Sequence, residues 1–239
     1  MTADCGTLYL VATPIGNLED ITVRAQRILS EAPVIACEDT RHTGLLLSRL
    51  GIDRAGRRLV AYHDVNERRQ APVLLAILRQ GLDCALVTDA GTPGISDPGY
   101  RIVVAAREAG IPVVPVPGPC AAVAALSASG LPSDRFTFLG FVAPKSARRE
   151  RQFRELRHDQ GTCIFYVPAR NLVQVLDELG RSHPDAVVVV ARELTKMFEE
   201  FLSGTPAACG AAFQGRSVKG EVTLLVRVTD AATAPDDGQ

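Results

Sequence analysis

Acidic and basic side chains that could carry chemistry stand directly behind short apolar runs. Glu38-Asp39-Thr40-Arg41-His42 follows the run Val34–Cys37, and His63-Asp64 follows the run 58–62. A carboxylate at Asp39, with Glu38 beside it, is placed to accept a proton or orient a hydroxyl, and a guanidinium at Arg41 to hold a phosphate. The competing reading weighs equally: Asp39 and Thr40 cap the next helix and Arg41 forms a surface pair. His63 is a further candidate acid–base group, although a lone histidine more often serves as a structural hydrogen-bonder. Asp97, in Ser96-Asp97-Pro98-Gly99, is expected to cap the helix behind it. Glu193 and Lys196 stand in a later strand-end loop, where they either face a substrate or pair with each other.

Two loops of Gly, Pro and small polar residues stand out. Thr13-Pro14-Ile15-Gly16-Asn17 ends the apolar run 7–12, and the loop from Asp89 to Gly99 ends the run 83–88. In an α/β sheet, ligands bind where loops leave the C-terminal ends of strands, and small residues let them approach the backbone. Neither loop carries a Gly-Lys-Ser/Thr ending or a GxGxxG pattern, which argues against nucleoside-triphosphate and NAD enzymes. One basic cluster exists: Lys145 to Arg157 holds six Lys/Arg against two Glu. As a helix it turns Phe153 and Leu156 inward and fans the arginines out. That makes Lys145, Arg148, Arg149 and Arg151, with Lys196, candidate contacts to RNA phosphates; the alternative is a solvated helix face.

The 26 Lys/Arg and 27 Asp/Glu leave a net charge of −1, so no global basic field announces nucleic acid, although a local cluster suffices. The six cysteines are far apart with no CxxC pair. Buried free thiols in a reducing compartment are expected, with no metal site and no disulfide framework. The N-terminus has Asp4 and no positive segment, and no apolar run approaches spanning length, so no membrane partner and a cytoplasmic location are expected.

Apolar strands and amphipathic helices alternate through the first half, with helices expected at 20–30, 41–50, 66–80 and 100–109. This predicts an α/β fold built on a mostly parallel sheet. Pro117-Gly118-Pro119 reads as a hinge. The expected division is an N-terminal α/β domain over 1–117, a C-terminal α/β domain over 118–230, and a frayed, disordered tail over 231–239. Strands are expected in the second domain at 135–142, 162–167, 186–192, 196–203 and 221–228, forming a mixed or antiparallel sheet.

Seven segments, in order, carry a family resemblance: Ala12-Thr13-Pro14-Ile15-Gly16-Asn17-Leu18, Glu38-Asp39-Thr40-Arg41-His42-Thr43, Ser96-Asp97-Pro98-Gly99-Tyr100, Pro117-Gly118-Pro119-Cys120-Ala121-Ala122, Gly130-Leu131-Pro132-Ser133-Asp134-Arg135-Phe136, Ala191-Arg192-Glu193-Leu194-Thr195-Lys196 and Lys219-Gly220-Glu221. The chain resembles the tetrapyrrole-methylase-like (class III) S-adenosylmethionine methyltransferases. Within them it is similar to the bacterial branch that methylates a cytidine 2′-hydroxyl at the decoding site of 16S rRNA. The resemblance implies two α/β domains with S-adenosyl-L-methionine in the cleft between them, a homodimer, and 16S rRNA in the 30S subunit as partner. Carried over by position, it implies cofactor contacts at Ile15, Asp89, Gly91, Thr92, Ile95, Cys120 and Ala121, then at Tyr166, Val167, Leu194 and Gly220. Relatives commonly carry Glu after the Tyr of the motif at Tyr166, where this chain has Val167, so a role for that Glu does not transfer. Two other readings stand beside this one. One is a methyltransferase of a tetrapyrrole or another small or protein acceptor; the other is a non-catalytic ribosome-assembly protein.

Overall fold

The computed structural model describes residues 5–229, so the expected tail at 231–239 lies outside the described residues. It forms two compact units that divide between Cys120 and Ala121.

The first unit runs β1 (Leu8–Val11), α1 (Val23–Glu31), β2 (Val34–Cys37), α2 (Thr40–Arg49), β3 (Arg58–Ala61), α3 (Glu67–Arg79), β4 (Cys84–Val87), α4 (Tyr100–Glu108) and β5 (Val113–Val116). The strands form one sheet in the order β3-β2-β4-β1-β5, every neighbouring pair parallel. All four residues of β2 and of β4 are buried. That is why these strands read as unbroken apolar runs: helices cover both faces of a parallel sheet. Helix α1 starts later than the spacing predicts. Leu18–Asp20 is a separate 3₁₀ turn capped by Asn17, and the Thr22 side chain then accepts from the Ala25 N–H at 3.1 Å. Ala25, Ile28 and Leu29, at i, i+3 and i+4, form its buried face. Each such Leu or Ile contributes roughly 1.5–3 kcal/mol by leaving water.

The second unit runs α5 (Ala121–Ala128), β6 (Phe136–Phe141), α6 (Ser146–Arg154), β7 (Thr162–Pro168), α7 (Leu172–Ser182), β8 (Val187–Arg192), β9 (Glu200–Gly204), α8 (Pro206–Phe213) and β10 (Glu221–Arg227). Its sheet is mixed, in the order β6-β7-β10-β8-β9, with β6 parallel to β7 and the other pairs antiparallel. Helix α7 buries Leu172, Val175, Leu176 and Leu179 against Phe165, Phe213 and Leu224.

Three expectations need correction. Strand β9 begins at Glu200, not at 196, because Glu193 and Thr195 adopt positive φ (52° and 65°) and the Thr195 N–H closes a turn on the Glu199 carboxylate at 2.6 Å. Asp97 does not cap α4; the cap position is Gly99, which has no side chain to offer. Arg149 does not fan out with its neighbours. It is 1% exposed and donates to Glu178 Oε1 at 2.8 Å and to the Ala143 carbonyl at 3.0 Å. The helical period explains this, since Arg149 and Phe153, at i and i+4, share the inward face of α6 and Leu156 is buried just past its end.

All six cysteines are free thiols. Cys37, Cys84, Cys163 and Cys209 are buried, and burial pushes the Cys84 thiol up to about 12. Among the described residues no helix is long and apolar enough to cross a membrane, and no three His, Cys, Asp or Glu side chains cluster as metal ligands would.

Candidate active site

Strands β1 and β4 lie side by side, so their two small-residue loops leave the same edge of the sheet together. Backbone bonds lock them: the Thr13 N–H donates to the Gly91 carbonyl at 2.9 Å and the Gly91 N–H returns one to the Thr13 carbonyl at 3.0 Å. The buried Thr13 hydroxyl adds a bond to the Thr88 carbonyl at 3.1 Å. The end of β5 joins them. The Thr92 hydroxyl donates to the Pro119 carbonyl at 3.0 Å, one residue before Cys120. A Cβ on Gly118 would lie 2.9 Å from the Ala12 Cβ, so the two chain segments pass this closely only with glycine there.

Six of the expected cofactor positions therefore gather at one place in the first unit: Ile15, Asp89, Gly91, Thr92, Ile95 and Cys120. Ile15 is buried against Gly91, where an added Cβ would sit 3.5 Å from the Ile15 Cγ2. Gly91 and Gly94 have φ of 89° and 82°, and nothing lies within 4 Å of where a Gly94 Cβ would stand. Ile95, 40% exposed, offers an apolar surface in the same loop as Asp89. Backbone groups, one apolar side chain and a carboxylate are a fitting set of donors and acceptors for an adenosyl sulfonium, a group both aromatic and cationic.

The acidic candidates fall at the neighbouring ends of β2 and β4. Glu38 accepts from the Thr88 hydroxyl at 3.3 Å, and Asp89 accepts from the Asp39 N–H at 3.3 Å. Asp39 behaves as a helix cap and surface partner. It caps α2, accepting from the Arg41 N–H at 2.8 Å, and takes the Arg41 guanidinium at 3.2 and 2.7 Å. These bonds from Arg41 hold its carboxyl well below the usual carboxylate range, which makes Asp39 a weak base. The Arg41 side chain is 90% exposed. Arg41→Ala is accordingly expected to leave the melting temperature nearly unchanged, to lower methyl transfer, and to raise the Asp39 carboxyl part of the way toward its ordinary range in an NMR pH titration, since the backbone N–H groups of residues 41 and 42 still hold it down. His63 enters through its backbone: its carbonyl accepts from the Asn66 and Glu67 N–H groups and its N–H donates to Asn66 Oδ1 at 2.9 Å, forming the turn that leads into α3.

Asp97 was legible only as a turn residue, yet it is half-buried among other carboxylates. Burial, and then repulsion from Glu38, Asp64 and Asp89, push its carboxyl up to about 6 against a pull downward from the Thr88 hydroxyl. Thr13 and Thr88, fully or almost fully buried, are site residues that motif reading misses. Their one signal is a threonine closing each apolar run.

The second unit holds the remaining candidates. Ala121 opens α5. Tyr166 packs edge-on between Phe138 and Phe141, ring centroids 5.0 and 5.4 Å away. Val167, at 2% exposure, points into the core, so its side chain is not available to a ligand. Leu194 is buried within the turn of positive-φ residues. Gly220 has φ 87°, and a Cβ there would collide with the Glu193 carboxylate. Lys196 is committed: its Nζ pairs with Glu193 Oε1 at 2.9 Å and Glu221 Oε2 at 2.8 Å, so it is not a free cation for phosphate. On α6, Lys145, Arg148 and Arg154 are exposed and without an ion pair among the described residues, and Arg151 faces Glu155 loosely at 3.8 Å.

Comparison with known proteins identifies the family. The family model of the Tetrapyrrole (Corrin/Porphyrin) Methylases matches residues 7–208. A ribosomal RNA small subunit methyltransferase I of Escherichia coli O157:H7 is 50% identical over 228 residues, covering 92% of this chain and 77% of its own. Its counterpart in Halalkalibacterium halodurans is 45% identical over 238 residues, covering 98% and 80%. Among solved structures, a uroporphyrin-III-C-methyltransferase from Thermus thermophilus superposes with a TM-score of 0.64 at 26% identity, covering 92% of this chain and 94% of that one. With the locked strand-end loops of the first unit and a match that spans most of both units, the chain belongs to the tetrapyrrole methylase family.

Proposed function

We propose that the chain is a ribosomal RNA methyltransferase of the small subunit, transferring the methyl group of S-adenosyl-L-methionine to the ribose 2′-hydroxyl of a cytidine in 16S rRNA. The observation that carries this reading is the identity of 45–50% with small-subunit rRNA methyltransferases over more than nine-tenths of the chain. The geometry supports it. The cofactor, when bound, supplies a methyl group on a positively charged sulfur. Ile15, Gly91, Thr92, Ile95 and Cys120 would hold it on backbone and apolar surface, with Asp89 nearby. The family resemblance implies further cofactor contacts at Tyr166, Leu194, Gly220 and Ala121. The protein's remaining tasks are to align the acceptor hydroxyl and take its proton. The particle recognised is the 30S subunit and the working state is a homodimer in the cytoplasm.

The exposed cations of α6 supply the RNA contact. Replacing Lys145 and Arg148 together with Glu is expected to weaken binding to 30S subunits and to flatten its dependence on salt, by about 0.7–0.9 in slope for each phosphate no longer neutralised. Filter binding at several salt concentrations checks this; an unchanged slope removes α6 from the interface. The reading as a whole is tested with methyl-labelled cofactor and 30S subunits, followed by digestion to nucleosides. Label in 2′-O-methylcytidine is the expected result. Label appearing only in a tetrapyrrole precursor would move the acceptor to the family's other branch, and 30S binding without transfer would make the chain an assembly protein.

A further inference from the structure

Strand β6 does not keep its alternation. Phe136, Thr137 and Phe138 pair with Thr162, Cys163 and Ile164 of β7, but the next pair is Phe141 with Tyr166. Here β6 advances three residues while β7 advances two, and Gly140 takes φ 68° within the bulge. Side chains alternate across a strand, so one extra residue exchanges the faces beyond it. Leu139 and Val142, three apart, both pack on the core, and Phe141 joins Phe138 against Tyr166. Unbroken alternation would have turned Phe141 into the core. Instead its ring ends a row of three and is 59% exposed. The frame around it is fixed. The Val142 N–H donates to the Tyr166 carbonyl at 3.0 Å, the Ala143 N–H to Gln152 Oε1 at 3.1 Å, and the buried Arg149 to the Ala143 carbonyl at 3.0 Å.

A single exposed ring is ordinary; the charge around this one is of one sign. Lys145 follows Phe141 by four residues, a reach of at most about 14 Å. Arg148 stands in the first turn of α6, and Arg170 in the turn that ends β7. All three are exposed and without an ion pair among the described residues. No carboxylate occurs in 141–149 or 166–176, and Glu150 is taken by Arg181 at 3.1 Å. The exposed ring of Phe198 is different: Glu199 and Glu200 follow it, and Lys196 is bound to two carboxylates. Single-stranded RNA is held by the combination found at Phe141, bases on aromatic rings and phosphates on cations.

We propose that Phe141 is a stacking platform for an unpaired RNA base, with Lys145, Arg148 and Arg170 on the phosphates beside it. The proposal rests on the rRNA reading above for its ligand. It adds a requirement: the RNA must present a base outside a duplex, because the faces of a paired base are covered by its neighbours in the stack.

The chain has no tryptophan, so Phe141→Trp installs a single reporter at the ring. Its emission is expected to be quenched by a single-stranded RNA oligonucleotide and by 30S subunits, but not by the same oligonucleotide paired with its complement. Phe198→Trp is expected to be unmoved by the single strand. In filter binding to 30S subunits, Phe141→Ala and Phe141→Leu are expected to bind roughly fivefold to a hundredfold more weakly, and Phe141→Trp like the wild type. Leucine keeps the apolar bulk and removes only the aromatic face. The salt slope is expected to keep its wild-type value in the Leu variant, since no phosphate contact is lost. A Leu variant that binds 30S subunits like the wild type would overturn the assignment, as would tryptophan emission indifferent to the single strand. Retained RNA affinity with a smaller sedimenting species would give the ring to a second copy of the chain, and loss of donor binding in calorimetry would give it to the cofactor; either result overturns the proposal. Failure of the underlying reading is distinguishable, because these readouts need no methyl transfer. If the wild type places no label in 30S subunits, the acceptor assignment falls, while a tryptophan quenched by the single strand still supports the stacking contact.

Discussion

Arg149→Ala is expected to destabilise the protein by about 3–5 kcal/mol, a large share of the stability of a fold this size. The guanidinium is 1% exposed and gives Glu178 and the Ala143 carbonyl their hydrogen bonds. Truncation leaves Glu178, itself 2% exposed, as a buried charge whose remaining partners are Ser146 at 2.7 Å and Gln174 at 2.9 Å. The pair need not be net stabilising for its rupture to be costly, because the penalty is that of the orphaned partner. Arg149→Met combined with Glu178→Leu is therefore expected to cost less than either Arg149→Ala or Glu178→Ala. Urea midpoints of the four proteins check the order. The pH dependence has a definite sign. Burial pushes the Glu178 carboxyl up, but the bonds from Arg149 and Ser146 outweigh it and hold the group below its ordinary 4.5. Its contribution is present above that value and fades as pH falls through the lower native one. Glu178→Gln should flatten this acid limb.

Gly91→Val is expected to abolish donor binding, raising the dissociation constant tenfold or more, about 1.4 kcal/mol at the least. Gly91 has φ 89°, a conformation that costs an L-residue roughly 1–2 kcal/mol and a β-branched one more. A new side chain would begin 3.5 Å from Ile15 and 3.8 Å from the Pro119 carbonyl, in the space the three strand-end loops share. Because that first atom makes ordinary contacts, the loss of stability should be set by the backbone alone. Calorimetric titration of the cofactor against a melting curve separates the effects; a variant that melts normally and binds normally would take this loop out of the cofactor site.

The elements of both units were readable because their causes are local. Gly51, Gly81 and Gly110 close α2, α3 and α4 at φ of 69°, 84° and 69°, and each is visible as a glycine behind an apolar periodicity. The strand order was not readable. Parallel neighbours are joined through helices, so nothing in the spacing of β1 announces that β4 and β5 will flank it. The same limit governs the site. Glu38, Asp39, Gly91 and Thr92 stand where their strand ends suggested, but which carboxylate is satisfied depends on partners that can lie far along the chain. Asp39 drew Arg41 from its own turn and Lys196 drew Glu221 from β10, whereas the charges acting on Asp97 are the carboxylates Glu38, Asp64 and Asp89. Arg149 carried a local signal that charge counting hid, its i+4 and i+7 spacing to Phe153 and Leu156.

The position of β1 also sets an order in time. Leu8 pairs with Cys84 on one side and Val113 on the other, separations of 76 and 105 residues (84 − 8 and 113 − 8). Strand β1, made before the other strands of its unit, thus waits for the two that are made last. At roughly 5–20 residues per second, that is several seconds to tens of seconds of synthesis with its edges unpaired. Strands β2 and β3, separated by 24 residues (58 − 34), can meet long before. Closure of the first unit, and with it the meeting of the β1 and β4 loops, is therefore a late event in the birth of the chain, completed only once β5 has emerged.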